Sequence, residues 1–260
     1  MNIKNRQGEL WGTAAEDWAL YLETTFIPVY KKVISKCRIG ERHTILDVGC
    51  GSGLFIKMLG AKGAVVHGID LCDELLDIAR KRNSEATLIK QDMECLPFPD
   101  SSFDYVTGFN SIQYAENVLH VLAEIKRVLK NKAKLVIGTW GSEAECEALK
   151  VLSSIASLLP APVPGSPGPL AFSDKVKLEN FLKQAGYKIT DKSTIECPWN
   201  FSSLEDALKG ILSAGPSAEA IRYAGKEIVK QKLTDTLQSF LYDEIYVLEN
   251  VYHYYIAEKE

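Results

Sequence analysis

The sequence predicts an α/β protein in which a mostly parallel sheet is covered by helices on both faces. Three observations carry the prediction. From His43 onward, short apolar strand patterns alternate with helical ones, the order that builds parallel sheets. A glycine-rich turn, Gly49-Cys50-Gly51-Ser52-Gly53, separates the first strand from the helix that follows. The second strand ends on an acid, Asp70, 17 residues past Gly53.

The elements follow in chain order. Residues 13–37 read as a helix. Thr13 with Glu16 three residues on forms a capping box, apolar residues recur at helical spacing through Trp18, Tyr21 and Leu22, and Pro28 kinks or divides the helix. Strands are expected at 43–48, 64–69, 87–91, 103–109, 134–140, 187–197 and 246–257. Helices are expected at 54–60, 73–83, 117–130, 143–158, 174–185 and 203–212. Two regions break the rhythm. Residues 160–169 hold five prolines and two glycines, which excludes a helix or a central strand there. Residues 202–240 read as a helical insertion, which either covers a ligand at one end of the sheet or packs without further role.

Composition narrows the function classes. The chain has 260 residues, 46% of them hydrophobic and 25% charged, ordinary values for a globular protein with a sizeable core. The net charge of −4 disfavours a main role in gripping phosphate backbones. The six cysteines, at 37, 50, 72, 95, 146 and 197, form no C-x-x-C pair. They suit neither a metal site nor a compact disulfide framework, and free thiols in a reducing cytoplasm are expected. The first residues carry no apolar run of signal-peptide type. No apolar stretch is long enough to insert into a membrane.

The glycine turn and its acids form a small-molecule cradle. Glycines allow backbone conformations closed to other residues and a close approach to a ligand. The helix that follows aims its free N–H groups at the same place. Asp70 sits where a ribose diol is held, or else caps the helix at 73–83. Asp92 follows the third strand at the same sheet edge. Its carboxylate is placed for an adenine amino group, with the Met93 N–H for a ring nitrogen; the alternative is a solvated loop acid. A dinucleotide fingerprint would need glycine at Leu54, and a P-loop would need Gly-Lys-Ser/Thr after Gly53; neither is present.

Five segments in order resemble the class I S-adenosylmethionine (SAM)-dependent methyltransferases. They are residues 46–53, 68–71, 91–98, 102–106 and 124–130, and the run from 45 to 140 is similar throughout to the branch containing ubiquinone/menaquinone-biosynthesis methyltransferases. The resemblance implies a Rossmann-like, doubly wound seven-stranded sheet whose last strand is antiparallel. One domain, 1–260, is expected: an N-terminal helical cap (1–40), a SAM-binding core (41–141) and a C-terminal part (142–260) with a candidate lid at 142–172 and the insertion at 202–240. By the same resemblance the turn Gly49, Cys50, Gly51 and Gly53 passes under the methionine and ribose portions of SAM. Asp47 orients the turn and the amino group, Asp70 binds the ribose, and Leu71, Asp92 and Met93 contact the adenine. Residues 109–114, with Asn110, Gln113 and Tyr114, line the methyl-transfer site. Segment 11–18 is similar to the capping helix of small-molecule members. Trp11, Trp18 and Tyr21 are thereby candidates to close over SAM or acceptor, with packing on the sheet as the alternative, favoured for Trp18. Where the family has Lys-Pro-Gly-Gly, this chain has Lys130-Asn131-Lys132-Ala133, which implies altered turn geometry.

The expected reaction is in-line transfer of the sulfonium methyl to a small-molecule acceptor, leaving S-adenosyl-L-homocysteine (SAH). Such a transfer needs alignment more than side-chain chemistry. None of the four histidines is expected to act as a base, and Tyr21, Gln113 and Tyr114 are the acceptor-site candidates. A nucleic-acid or protein methyltransferase of the same fold is disfavoured, because Asn110-Ser111-Ile112-Gln113 lacks the Asn/Asp-Pro-Pro-Tyr/Phe pattern. A non-catalytic SAM-binding protein is disfavoured by the intact glycines and Asp70.

Overall fold

The computed structural model describes residues 3–160 and 168–260. Residues 161–167 of the proline-rich stretch, within the expected lid, lie outside the described residues. The sheet is the expected one, with seven strands flanked by helices. Four parallel strands fan outward from β1 (Thr44–Val48), with β2 (Val65–Asp70) and β3 (Thr87–Lys90) on one side and β4 (Phe103–Phe109) and β5 (Leu129–Trp140) on the other. The last strand, β10 (Val251–Lys259), runs antiparallel between β5 and the edge strand β6 (Tyr187–Glu196).

Two hydrophobic cores cover the two faces. One gathers residues of α3 (Ile27–Cys37), α4 (Leu54–Gly60) and α7 (Glu147–Ala156). The other gathers residues of α6 (Val118–Val128) and α8 (Lys175–Gln184). The helix α5 (Asp73–Arg82) follows β2. The departure at residues 130–133, at the beginning of β5, has a visible cost in regularity. The strand pairing skips between Phe103↔Leu129 and Tyr105↔Lys134, and Lys132 takes φ +62°.

The N-terminal cap differs from the expected single helix. It opens with α1 (Ile3–Gly12), then a short α2 (Ala15–Asp17), a π-turn over Trp18–Leu22 and a 3-10 turn over Glu23–Phe26. Thr13 does not cap: its hydroxyl donates back to the Leu10 carbonyl, and the cap residue of α2 is Ala14, with no side-chain bond. Pro28 does divide the run, at the start of α3, where a missing N–H is harmless.

The insertion contains α9 (Leu204–Leu212), α10 (Gly215–Ala224) and α11 (Lys226–Leu237). A second small sheet, unforeseen, joins β7 (Trp199–Phe201), β8 (Leu241–Tyr242) and β9 (Ile245–Leu248). The expected strand 246–257 is therefore two strands. Asn250 makes the break: its Oδ1 accepts from Ala148 N at 2.9 Å and its Nδ2 donates to the Leu248 carbonyl at 2.9 Å.

Candidate functional site

A cleft of about 1050 Å³, counting its open mouth, lies at the carboxyl ends of β1, β2 and β4, where open α/β sheets bind ligands. Its floor is the glycine turn. Gly49, Gly51 and Gly53 all have positive φ, at +72°, +53° and +76°, but they serve different ends. A Cβ on Gly49 would lie 2.3 Å from Ser111 Cβ, so this glycine lets the turns after β1 and β4 touch. A Cβ on Gly53 would meet Asn83 and Ala79 of the α5 end. A Cβ on Gly51 would meet nothing nearer than 4.0 Å and would project into the cleft. Gly51 is thus the glycine over which the cleft stays open.

Asp70 lines the cleft and does not cap α5, whose N-cap is Cys72. Its two oxygens accept from Gly51 N at 2.8 Å and Cys72 N at 3.0 Å. Burial raises its pKa, and the backbone donors pull it back. Four lone-pair directions on a carboxylate leave room for ligand hydroxyls beside these bonds. Leu71, Asp92 and Met93 line the same wall, and Asp92 accepts from Glu94 N at 2.9 Å. Cys50, Asn110, Tyr114 and Trp11 line the cleft as well. Asn110, at φ +49°, donates to Tyr252 Oη at 2.8 Å and accepts from Gln113 Nε2 at 3.3 Å.

Four candidates lie elsewhere. Asp47 and Gly53 do not line the cleft. Asp47 is 3% exposed behind the turn, takes the Thr107 hydroxyl at 2.6 Å, and is pushed up to about 7 by burial. Tyr21 faces the insertion, under the Lys209 ammonium at 5.6 Å, because the π-turn rotates it off the cleft side. Gln113 is buried and borders a separate hollow with Phe172, Lys177 and Phe181. No described residue of 142–172 or 202–240 lines the cleft.

The roof comes from the cap. Trp18, expected on the sheet, lines the cleft with Glu23, Phe26 and Tyr30. Trp11 meets Trp18 edge-on at 4.9 Å and Tyr114 at 6.0 Å. Glu23, which the sequence did not single out, is 4% exposed. Its Oε2 accepts from Arg82 Nη1 at 2.5 Å and from the Ser52 hydroxyl, and its Oε1 accepts from Leu54 N at 3.4 Å. Arg82 also donates to the carbonyls of Ser52 and Ala19, both at 3.1 Å. This pair, a buried carboxylate and a half-buried guanidinium, ties cap, turn and α5 together. The insertion supports the roof from outside, with Gly215 against the Trp11 ring and ion pairs Arg6–Glu219 and Arg222–Glu9.

The comparisons with known proteins agree with this geometry. Residues 46–137 match the family described as "Methyltransferase domain". A demethylmenaquinone methyltransferase of Staphylococcus epidermidis is 25% identical over 74% of this chain and 80% of its own. A malonyl-[acyl-carrier protein] O-methyltransferase of Erwinia pyrifoliae is 28% identical over 60% of this chain, and O-methyltransferase cnsE of Penicillium expansum is 32% identical over 58%. The chain spans 66% and 54% of these last two, less than two thirds of their length. A solved SAM-dependent methyltransferase from Aquifex aeolicus superposes with a TM-score of 0.53 at 20% identity, over 69% of this chain and 90% of that one. The [4+2]-cyclase SpnF superposes at 0.59 and 18% identity, over 89% and 80%, so the fold itself hosts more than one activity. Residues 46–137 thus resemble a methyltransferase domain, and the sheet order and glycine turn give the chain the Rossmann-like fold of the solved SAM-dependent methyltransferase.

Proposed function

We propose that the chain transfers the sulfonium methyl of SAM to a small-molecule acceptor. The single observation that carries this is the cleft floor, where Gly51 is kept bare between a ribose-type acid, Asp70, and an aromatic roof. These residues fit SAM. Asp70 would hold the ribose hydroxyls, Leu71, Asp92 and Met93 the adenine, and the turn at Gly49, Cys50 and Gly51 the sulfonium side. Asp47 and Gly53 would act from behind, fixing the turn. SAM, when bound, supplies an activated methyl whose transfer leaves SAH. The protein supplies orientation and a dry site.

The lining also favours an acceptor class. Glu23, Asp70, Asp92, Glu94 and Glu116 are acidic, and none of the described lining residues is Lys, Arg or His. Such a lining offers an anionic acceptor no described cationic side chain and suits a neutral or cationic acceptor with an apolar body among Phe26, Tyr30, Phe109 and Tyr114. A quinone-like ring, as in the name of the Staphylococcus relative, fits it better than the free carboxylate of a malonyl group. The same wall disfavours a nucleic-acid strand as partner. Burial pushes the Tyr30 and Tyr114 hydroxyls above their ordinary range, so at neutral pH they donate hydrogen bonds and do not act as bases. The acceptor atom therefore needs its own lone pair. No described helix is long and apolar enough to cross a membrane, and six free thiols go with residence in a reducing cytoplasm.

Calorimetry with SAM and a metabolite screen with methyl-labelled SAM test this reading. Micromolar SAM binding and label in a neutral or amine product are expected. A folded protein that ignores millimolar SAM would end the proposal.

A further inference from the structure

We propose that Glu23 and Trp18, both from the N-terminal cap, hold the α-amino-acid end of SAM: Glu23 Oε1 accepts from the ammonium, and the Trp18 indole N–H donates to the carboxylate. The assignment rests on the SAM reading above and replaces Asp47, which the resemblance offered for the amino group.

The space over Gly51 has two chemically opposite walls. A Cβ built there would stand 4.0 Å from Glu23 Oε1 and 4.0 Å from Trp18 Nε1. One wall accepts and the other donates, the complement of a zwitterion. On its other side the same residue gives its N–H to Asp70 at 2.8 Å. Gly51 therefore separates a ribose acid from a second, cap-borne acid, in the order of the ligand's own groups.

The backbone is shaped to present this pair. Glu23 N–H bonds the Trp18 carbonyl, five residues back, through the π-turn. In an α-helix, side chains five apart point about 140° away from each other. The wider turn brings Trp18 and Glu23 to one face, over Gly51. Single π-turns inside helices recur at functional sites.

The carboxylate is held in an asymmetric way. Oε2 takes the Arg82 guanidinium and the Ser52 hydroxyl. Oε1 faces Gly51 with the 3.4 Å contact from Leu54 N. Arg82 anchors the acid from behind and does not line the cleft. Among the described lining residues no lysine or arginine competes for the ligand's carboxylate, so the indole N–H is the donor at hand.

The test is calorimetry on the full chain with SAH, its des-amino analogue, its decarboxylated analogue and 5′-methylthioadenosine, which lacks the amino-acid end. In the wild type, loss of the amino group should weaken binding about 30-fold. In Glu23→Gln, SAH should weaken about tenfold, methylthioadenosine should stay within about twofold, and the amino-group effect should shrink to about threefold. Trp18→Phe should weaken SAH a few-fold and leave methylthioadenosine and the decarboxylated analogue unchanged. Parallel loss of SAH and methylthioadenosine in Glu23→Gln, or an undiminished amino-group effect, overturns the assignment and leaves Glu23 as a strut. If Glu23→Gln does not fold, the wild-type series decides. An amino group that matters less than the carboxylate overturns the assignment, and the reverse supports it. A folded wild type that binds neither SAM nor SAH ends the methyltransferase reading itself, a result distinct from either.

Discussion

The floor and the roof of the cleft are built on different principles. The floor is backbone: three glycines at positive φ, β1 and β2 in register from Thr44↔Val65 to Val48↔Ile69, and an acid at a strand end. The roof is side chains: Trp11, Trp18, Glu23, Phe26 and Tyr30, carried on α1, the π- and 3-10 turns and α3, and braced by helices from the other end of the chain. A floor of this kind follows from local rules that leave a sequence signature. A roof of this kind exists only once distant segments meet.

The sharpest way to break the comparison is within the floor. Gly51→Val should abolish SAM binding in calorimetry, at least about a hundredfold, because its side chain enters the cleft. Its thermal midpoint should fall by only a few degrees, the cost of about 1–2 kcal/mol for a branched residue at positive φ. Gly49→Ala should do the reverse and destabilise the fold by about 2–4 kcal/mol, through the clash with Ser111. If both variants fold normally and bind alike, the division of labour between the two glycines is wrong.

Behind the floor, Asp47→Asn tests the buried acid. Its folded pKa of about 7 lies above the ordinary aspartate value, so the native state binds more protons than the unfolded state between about pH 4 and 7. Wild-type stability should fall as pH rises through that window, then level off. The variant's advantage should grow over the same window, to roughly 2–4 kcal/mol at pH 8. Urea unfolding at pH 5 and pH 8 measures it; an unchanged difference would mean that Asp47 ionises without penalty.

Asp70→Ala should weaken SAM about ten- to a hundredfold. A loss below about threefold would leave Asp70 as a brace for Gly51 and Cys72 alone. The smallest effect belongs to Tyr21→Phe. Because Tyr21 packs against the insertion, SAM affinity and acceptor KM should both stay within about twofold. A large change in either would return Tyr21 to the roof.

The same contrast explains what was legible. The helix Leu54–Gly60 and the strand Phe103–Phe109 fall on their expected residues, since apolar runs bounded by glycines or polar turns mark them locally. The glycine turn and Asp70 are legible for the same reason. Thr13 misled because a Ser/Thr hydroxyl can satisfy the preceding turn as easily as the next one. Glu23 reads as a lone acid in an apolar helix, and only its pairing with Arg82, 59 residues on, reveals its place. The split at Asn250 depends on contacts with residue 148, 102 residues earlier. No local pattern encodes either.

The ion pair between Arg6 and Glu219 spans 213 residues. Loops of that length close late, because their entropy is lost before distant contacts return it. During synthesis the floor can assemble while the roof's brace is still unmade. A nascent chain would hold a formed cradle under an open cap, and mature affinity for SAM would arrive only with α10.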